Sequence, residues 1–153
     1  MRKKTIAFLL ALVMVLPVFV TVHTVYAPTA AQLTVKSVVQ LSNGYNITLT
    51  LTNTGSNKIS YMRATPGTSA AGNASIGFAN SYAPDGWTTY IVHQSYSADN
   101  AYFSTYDNEY MIANGQNKDF TILASMHGFT LWWVIYNAPT HKGSLPQGTV
   151  YIP

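Results

Sequence analysis

Few residues in this chain can do chemistry, so their types and spacing decide much. Histidine stands at positions 23, 93, 127 and 141, and Asp99, Asp107 and Glu109 follow His93 along the chain. Imidazole beside carboxylate is the raw material of a metal centre or an acid–base pair. The spacing here matches no known ligand set, and a turn carrying ordinary polar side chains is the stronger expectation. The chain has no cysteine, which removes thiol catalysis, iron–sulfur clusters, thiolate zinc sites and any disulfide framework. Neither a Gly-x-Ser-x-Gly elbow nor a His-Glu-x-x-His pair is present, and only five carboxylates are available. The expectation is a protein that is not an enzyme and holds no cofactor and no metal.

Two other features carry chemistry of recognition rather than reaction. Thr130-Leu131-Trp132-Trp133-Val134-Ile135-Tyr136 is the richest aromatic stretch. Successive residues of a strand point to opposite faces, so one of Trp132 and Trp133 belongs to a core and the other to the second face. A tryptophan there can stack on a sugar ring, meet a neighbouring subunit, or be covered within its own domain. The second feature is a pair of N-glycosylation triplets, Asn46-Ile47-Thr48 and Asn73-Ala74-Ser75. Asn46 is expected on an outward strand face and Asn73 in a loop, where attached glycans would add hydration.

That hydration matters because charge is scarce. Charged residues make up 8% of the 153 positions, against about 25% in an average soluble protein. The net charge of +3 belongs to the first four residues: Arg2, Lys3 and Lys4 are three of the eight cations, and the remaining five face five acids. A neutral body lacks the clustered cations that displace counterions from phosphates, so no nucleic-acid partner is expected. Few like charges also means little repulsion between copies packed side by side.

The elements that must position these residues are strands. Leu33, Val35, Val39 and Leu41 are expected on one face of a first strand, with Ser42-Asn43-Gly44 as a hairpin turn. Asn46 to Thr52 alternates without a fault, with Ile47, Leu49 and Leu51 inward. Asn53-Thr54-Gly55-Ser56 reads as the next turn and Lys58 to Met62 as a third strand. Residues 64 to 86 are rich in Gly, Ala, Ser and Pro and read as a long loop or irregular edge. Strands are expected again at Trp87–Tyr96, Glu109–Ala113, Phe120–Met126, Phe129–Tyr136 and Thr149–Ile152. Short strands punctuated by turns predict an all-β, immunoglobulin-like sandwich over residues 32–153.

Residues 1–31 form a separate unit, a basic leader and a hydrophobic helix. Ile6 to Val22 is apolar apart from Thr21, with Pro17 interrupting it. A Sec-type signal peptide cut after Thr29-Ala30-Ala31 accounts for this layout, Val25-Tyr26-Ala27 being disfavoured by Pro28. A retained membrane anchor accounts for it too. A short basic leader abutting an apolar helix also resembles the prepilins of archaeal type IV pili. There, trimming of the basic residues would leave Ile6, Phe8, Leu9, Leu12, Val13 and Leu16 to pack in a filament core. Each reading sends the body across the membrane during export, to an extracellular or cell-surface location.

The stretch QLTVKSVVQLSNGYNITLTLTNTGSNKIS resembles the opening hairpin of head domains in archaeal pilins and archaellins, and is similar to immunoglobulin-like modules of secreted archaeal proteins. The resemblance implies a non-catalytic structural subunit of a surface filament, partnered by copies of itself. Assembly would run through the leader helix, or through donation of the strand carrying Leu33, Val35, Val39 and Leu41. The other expectation is a secreted or anchored monomeric binding module that takes carbohydrate on exposed aromatics.

Overall fold

In the computed structural model, residues 31–69, 76–94, 98–137 and 147–153 are described. The leader with Ile6, Phe8, Leu9, Leu12, Val13 and Leu16, the candidate cleavage positions, His23, Asn73 and His141 lie outside them. Among the described residues no helix is long and apolar enough to cross a membrane.

Nine strands follow one another: β1 (Ala31–Leu41), β2 (Gly44–Asn53), β3 (Ile59–Ser69), β4 (Phe78–Tyr82), β5 (Thr88–Val92), β6 (Asn100–Ser104), β7 (Asn117–Ala124), β8 (Phe129–Asn137) and β9 (Gln147–Ile152). They form two antiparallel sheets, one ordered β1-β2-β7-β4 and the other β5-β6-β3-β8-β9. The first sheet has the neighbour order of an immunoglobulin A-B-E-D sheet, and β3-β8-β9 stand where C-F-G stand. The threading has one difference. The chain crosses from β3 to β4 on the opposite sheet before returning to lay β5 and β6 along the β3 edge. The fold is therefore an all-β, two-sheet, immunoglobulin-like sandwich.

Alternation builds the core. Ile47, Leu49 and Leu51 of β2, with Phe120 and Ile122 of β7, face Met62, Phe103, Leu131 and Ile135 of the second sheet. Phe120 is the keystone: its ring meets Phe103 edge-on at 5.0 Å and Trp87 at 5.1 Å. Trp87 in turn donates its indole N–H to the Tyr110 carbonyl at 2.7 Å. Gly86, at φ +75°, must be glycine twice over, because a Cβ there would lie 2.0 Å from the Tyr110 ring. The β2–β3 turn is tied down by Asn53, which is buried and fully satisfied. Its Nδ2 donates to the carbonyls of Ile112 and Asn57 at 2.7 and 2.8 Å, and its Oδ1 accepts the Gly55 N–H at 2.9 Å.

Several sequence expectations need correction. Val39 and Leu41 do not share a face with Leu33 and Val35: Leu33 is buried, but Val39 is 50% and Leu41 43% exposed. The register shifts between Val35 and Ser37, so Lys36 is an extra residue opposite β2 and the alternation changes phase. Val38 then takes the inward place and packs against the core. Residues 64–86 are not a loop throughout. β3 runs on through Pro66 and Gly67 to Ser69, and β4 follows at Phe78. Glu109–Ala113 is no strand: it is a turn whose Ile112 makes a single bridge to Ile59. β6 went unread because Asp, Asn and Ser around Ala101-Tyr102-Phe103 hide a five-residue strand.

Candidate functional site

The histidine–carboxylate group does not assemble. His93 and Asp99 meet at 3.0 Å, where the hairpin between β5 and β6 begins and ends. The same Asp99 oxygen accepts the Phe78 N–H at 2.8 Å, so this carboxylate clamps the start of β4 to the opposite sheet. Asp107 and Glu109 lie past the far end of β6, about 17 Å of strand away. There Asp107 accepts the Glu109 N–H at 2.9 Å in a local turn. His127 is bonded to the Pro153 carbonyl at 3.0 Å and packs on Tyr45. Among the described residues no three His, Asp or Glu side chains gather as ligands for a metal.

The outer face of the five-stranded sheet has a different character. Register sets its side chains in rows. Thr88, Ser104, Tyr61 and Tyr136 are successive neighbours across β5, β6, β3 and β8. The next row is Tyr90, Tyr102, Arg63, Val134 and Gln147, the last contributed by β9. A third holds Val92 beside Asn100, and Thr65 beside Trp132 and Thr149. Alternation puts all of them outward because their chain neighbours Met62, Ala64, Ala101, Phe103, Leu131, Trp133 and Ile135 are core.

The rings form a connected layer. Tyr90 stacks on Tyr102 with centroids 4.8 Å apart and planes 10° from parallel. Tyr61 touches Tyr102 at 6.2 Å and meets Tyr136 edge-on at 4.6 Å. Trp132, 59% exposed, and Tyr151 stand at the β8–β9 side, while Tyr90, 54% exposed, stands on the β5 edge. Burial among these rings pushes the Tyr61 phenol well above its usual range. Tyr102, Tyr90 and Tyr136 add to that and Arg63 opposes it. Arg63 is the only formally charged side chain in the three rows, and none of the ion pairs among the described residues includes it.

Trp132 therefore lies outward and Trp133 inward, the latter wedged against Gly148. Trp132 has a seat of its own: a Cβ on Gly67 would come within 2.8 Å of its indole nitrogen. The missing side chain on β3 is what lets the indole lie against the sheet. The tyrosine layer, Arg63 and Gly67 were not singled out by sequence reasoning. The period-2 spacing of Tyr61, Arg63 and Thr65 was the available signal, masked by the Pro-Gly pair that follows it.

The other candidate positions sit on the four-stranded sheet. Asn46 is outward on β2, between Val39 and Leu123. Leu33 and Val35 belong to β1, which is registered against β2 from Ala31 to Leu41. Strand donation would have to break that pairing.

No family model matches this chain, and no curated protein matches it in sequence. Among solved structures it is similar to a cohesin module from a Clostridium perfringens family 33 glycoside hydrolase, at 12% identity and a TM-score of 0.48, over 81% of this chain and 97% of that one. It is also similar to an uncharacterised Nocardia farcinica protein with an immunoglobulin-like fold, at 15% identity and a TM-score of 0.42, over 78% of this chain and 96% of that one. Likeness at this level concerns the fold alone.

Proposed function

We propose that this protein is a non-catalytic module of the cell exterior that binds its partner with the outer face of the five-stranded sheet. The observation that carries the reading is the aromatic layer: Tyr61, Tyr90, Tyr102, Tyr136 and Trp132 in adjacent rows on one outer face. Large rings with few rotamers give much contact area for little lost entropy, which is why they dominate contact surfaces. The exterior location rests on the basic, apolar leader. The test is retention of the purified protein on isolated cell-envelope material. The wild type should be retained, and Tyr90→Ala with Trp132→Ala together should abolish retention without lowering the melting temperature. Retention unchanged in that double variant would sink the reading.

A second reading, a subunit of a surface filament, is favoured by the same leader and by the sparse charge. In that case the aromatic face would be a contact between copies. Sedimentation of the native protein separates the two, since a filament subunit runs as a polymer and a module as a monomer. The N-terminus then decides the route. A start at Thr5 or Ile6 means the apolar segment is kept, and a start at Gln32 means it served only as an address.

A further inference from the structure

Building on the binding reading above, we infer that the ligand of the five-stranded face is an acidic polysaccharide, a chain of carboxylate-bearing sugar rings. The face is several strands wide: Trp132 on β8 lies three inter-strand steps and one row along the strands from Tyr90 on β5, about 16 Å. Arg63, on β3, lies between these two exposed rings. A linear polymer crossing the strands meets ring, cation and ring in turn. The C–H faces of pyranose rings carry partial positive charge and pack on the negative faces of aromatic rings. Trp132 is held ready for such a partner by its seat over Gly67, so little ordering is lost on binding.

Charge complementarity selects the acidic class. Arg63 is the one charge in the three rows, half-buried beside phenols, hydroxyls and amides. A guanidinium in such a setting interacts more strongly with a carboxylate than one in open water does, and its planar fork can hold both oxygens. Asp99 does not compete, because it is turned to the opposite sheet and engaged by the Phe78 N–H and His93. Single-stranded nucleic acid, which also stacks on rings, needs a groove of several cations, and this face supplies one. Thr65 is bonded to Asn100 and Thr88 to Ser104, so sugar hydroxyls would be met by the exposed Gln147 and the Tyr90 phenol.

The experiment is a calorimetric titration of the purified protein with hexagalacturonate and with its fully methyl-esterified form, which keeps the ring faces and removes the charge. The acid should bind at least ten-fold more tightly than the ester, and added salt should weaken the acid alone. Arg63→Gln should bring the affinity for the acid down to that for the ester in the same variant, Arg63→Lys should restore part of the preference, and Trp132→Ala should weaken both ligands ten-fold or more. Equal affinity for acid and ester, or a preference that survives Arg63→Gln in a protein with an unchanged melting temperature, overturns the acidic assignment and leaves the binding reading standing. Binding of neither ligand overturns the inference altogether. The binding reading falls with it only if envelope retention also ignores Tyr90→Ala with Trp132→Ala.

Discussion

The two outer faces of the sandwich share one core and are made of different material. On the four-stranded sheet the outward centre of β2 and β7 is built of threonines and one carboxylate that answer one another, with the exposed Val39 and Leu41 of β1 off to one side. Thr50 donates to Asp119 at 2.6 Å, Asp119 also takes the Lys36 ammonium, and Thr48 lies 3.4 Å from Thr121. On the five-stranded sheet the outward positions present rings and one cation, Arg63, which is in none of the ion pairs among the described residues. Polar side chains are bonded to each other on both faces, Thr65 to Asn100 and Thr88 to Ser104 on the five-stranded one, so the contrast lies in the rings. A face of rings has π surfaces that only a partner or another ring can cover. The difference lies in side-chain chemistry, since antiparallel pairing and pleat are common to both.

The core that the faces share is the place to break the comparison outright. Phe120→Ala should lower unfolding stability by about 3–5 kcal/mol, because the ring bridges Phe103 and Trp87. Chemical denaturation followed by tryptophan fluorescence reads this directly. A loss below about 1 kcal/mol would mean the sheets are not held together there.

Tyr61 sharpens the comparison from the aromatic side. Its phenol is held protonated in the fold above the unfolded value, so the stability it contributes is complete below about pH 10 and is lost as pH rises beyond that. Ultraviolet titration of the native protein should show a phenol ionising late, and Tyr61→Phe should remove it. The variant should also lose less stability than the wild type between neutral pH and pH 11.

Asp119 sharpens it from the other side. Hydrogen bonds from Lys36 and Thr50 hold its carboxyl below the usual range. Its contribution is present above the unfolded carboxylate pKa of about 4 and disappears as pH falls through the lower native value. Both partners are more than a third exposed, so Lys36→Met should cost at most about 1 kcal/mol at pH 7. The two proteins should converge in acid melts near pH 2. A gap that persists there would show that Lys36 acts by shaping the strand rather than by its charge.

Sequence patterning revealed the faces unevenly, for physical reasons. β2 was legible because nothing interrupts its alternation, and Trp132-Trp133 because two adjacent rings on a strand must part. The phase change at Lys36 was not legible: a bulge leaves no residue signature of its own, and only pairing with β2 discloses it. The extension of β3 through Pro66-Gly67 was hidden because those residues usually end strands. Here Gly67 leaves room for the Trp132 ring. The aromatic layer joins β3, β5, β6 and β8, so it exists only once long-range pairing is known.

That pairing has a consequence in time. Leu49 lies opposite Phe120 and Arg63 opposite Val134, so the central contacts of both sheets close loops of about seventy residues. Loops of that length form slowly. Neither sheet can be completed until β7 and β8 are available. A fragment ending at residue 94 should therefore show no cooperative melt and no protected amides in β2 or β3. A chain that stays unfolded until its last third arrives is one that a translocation channel can pass as an extended thread.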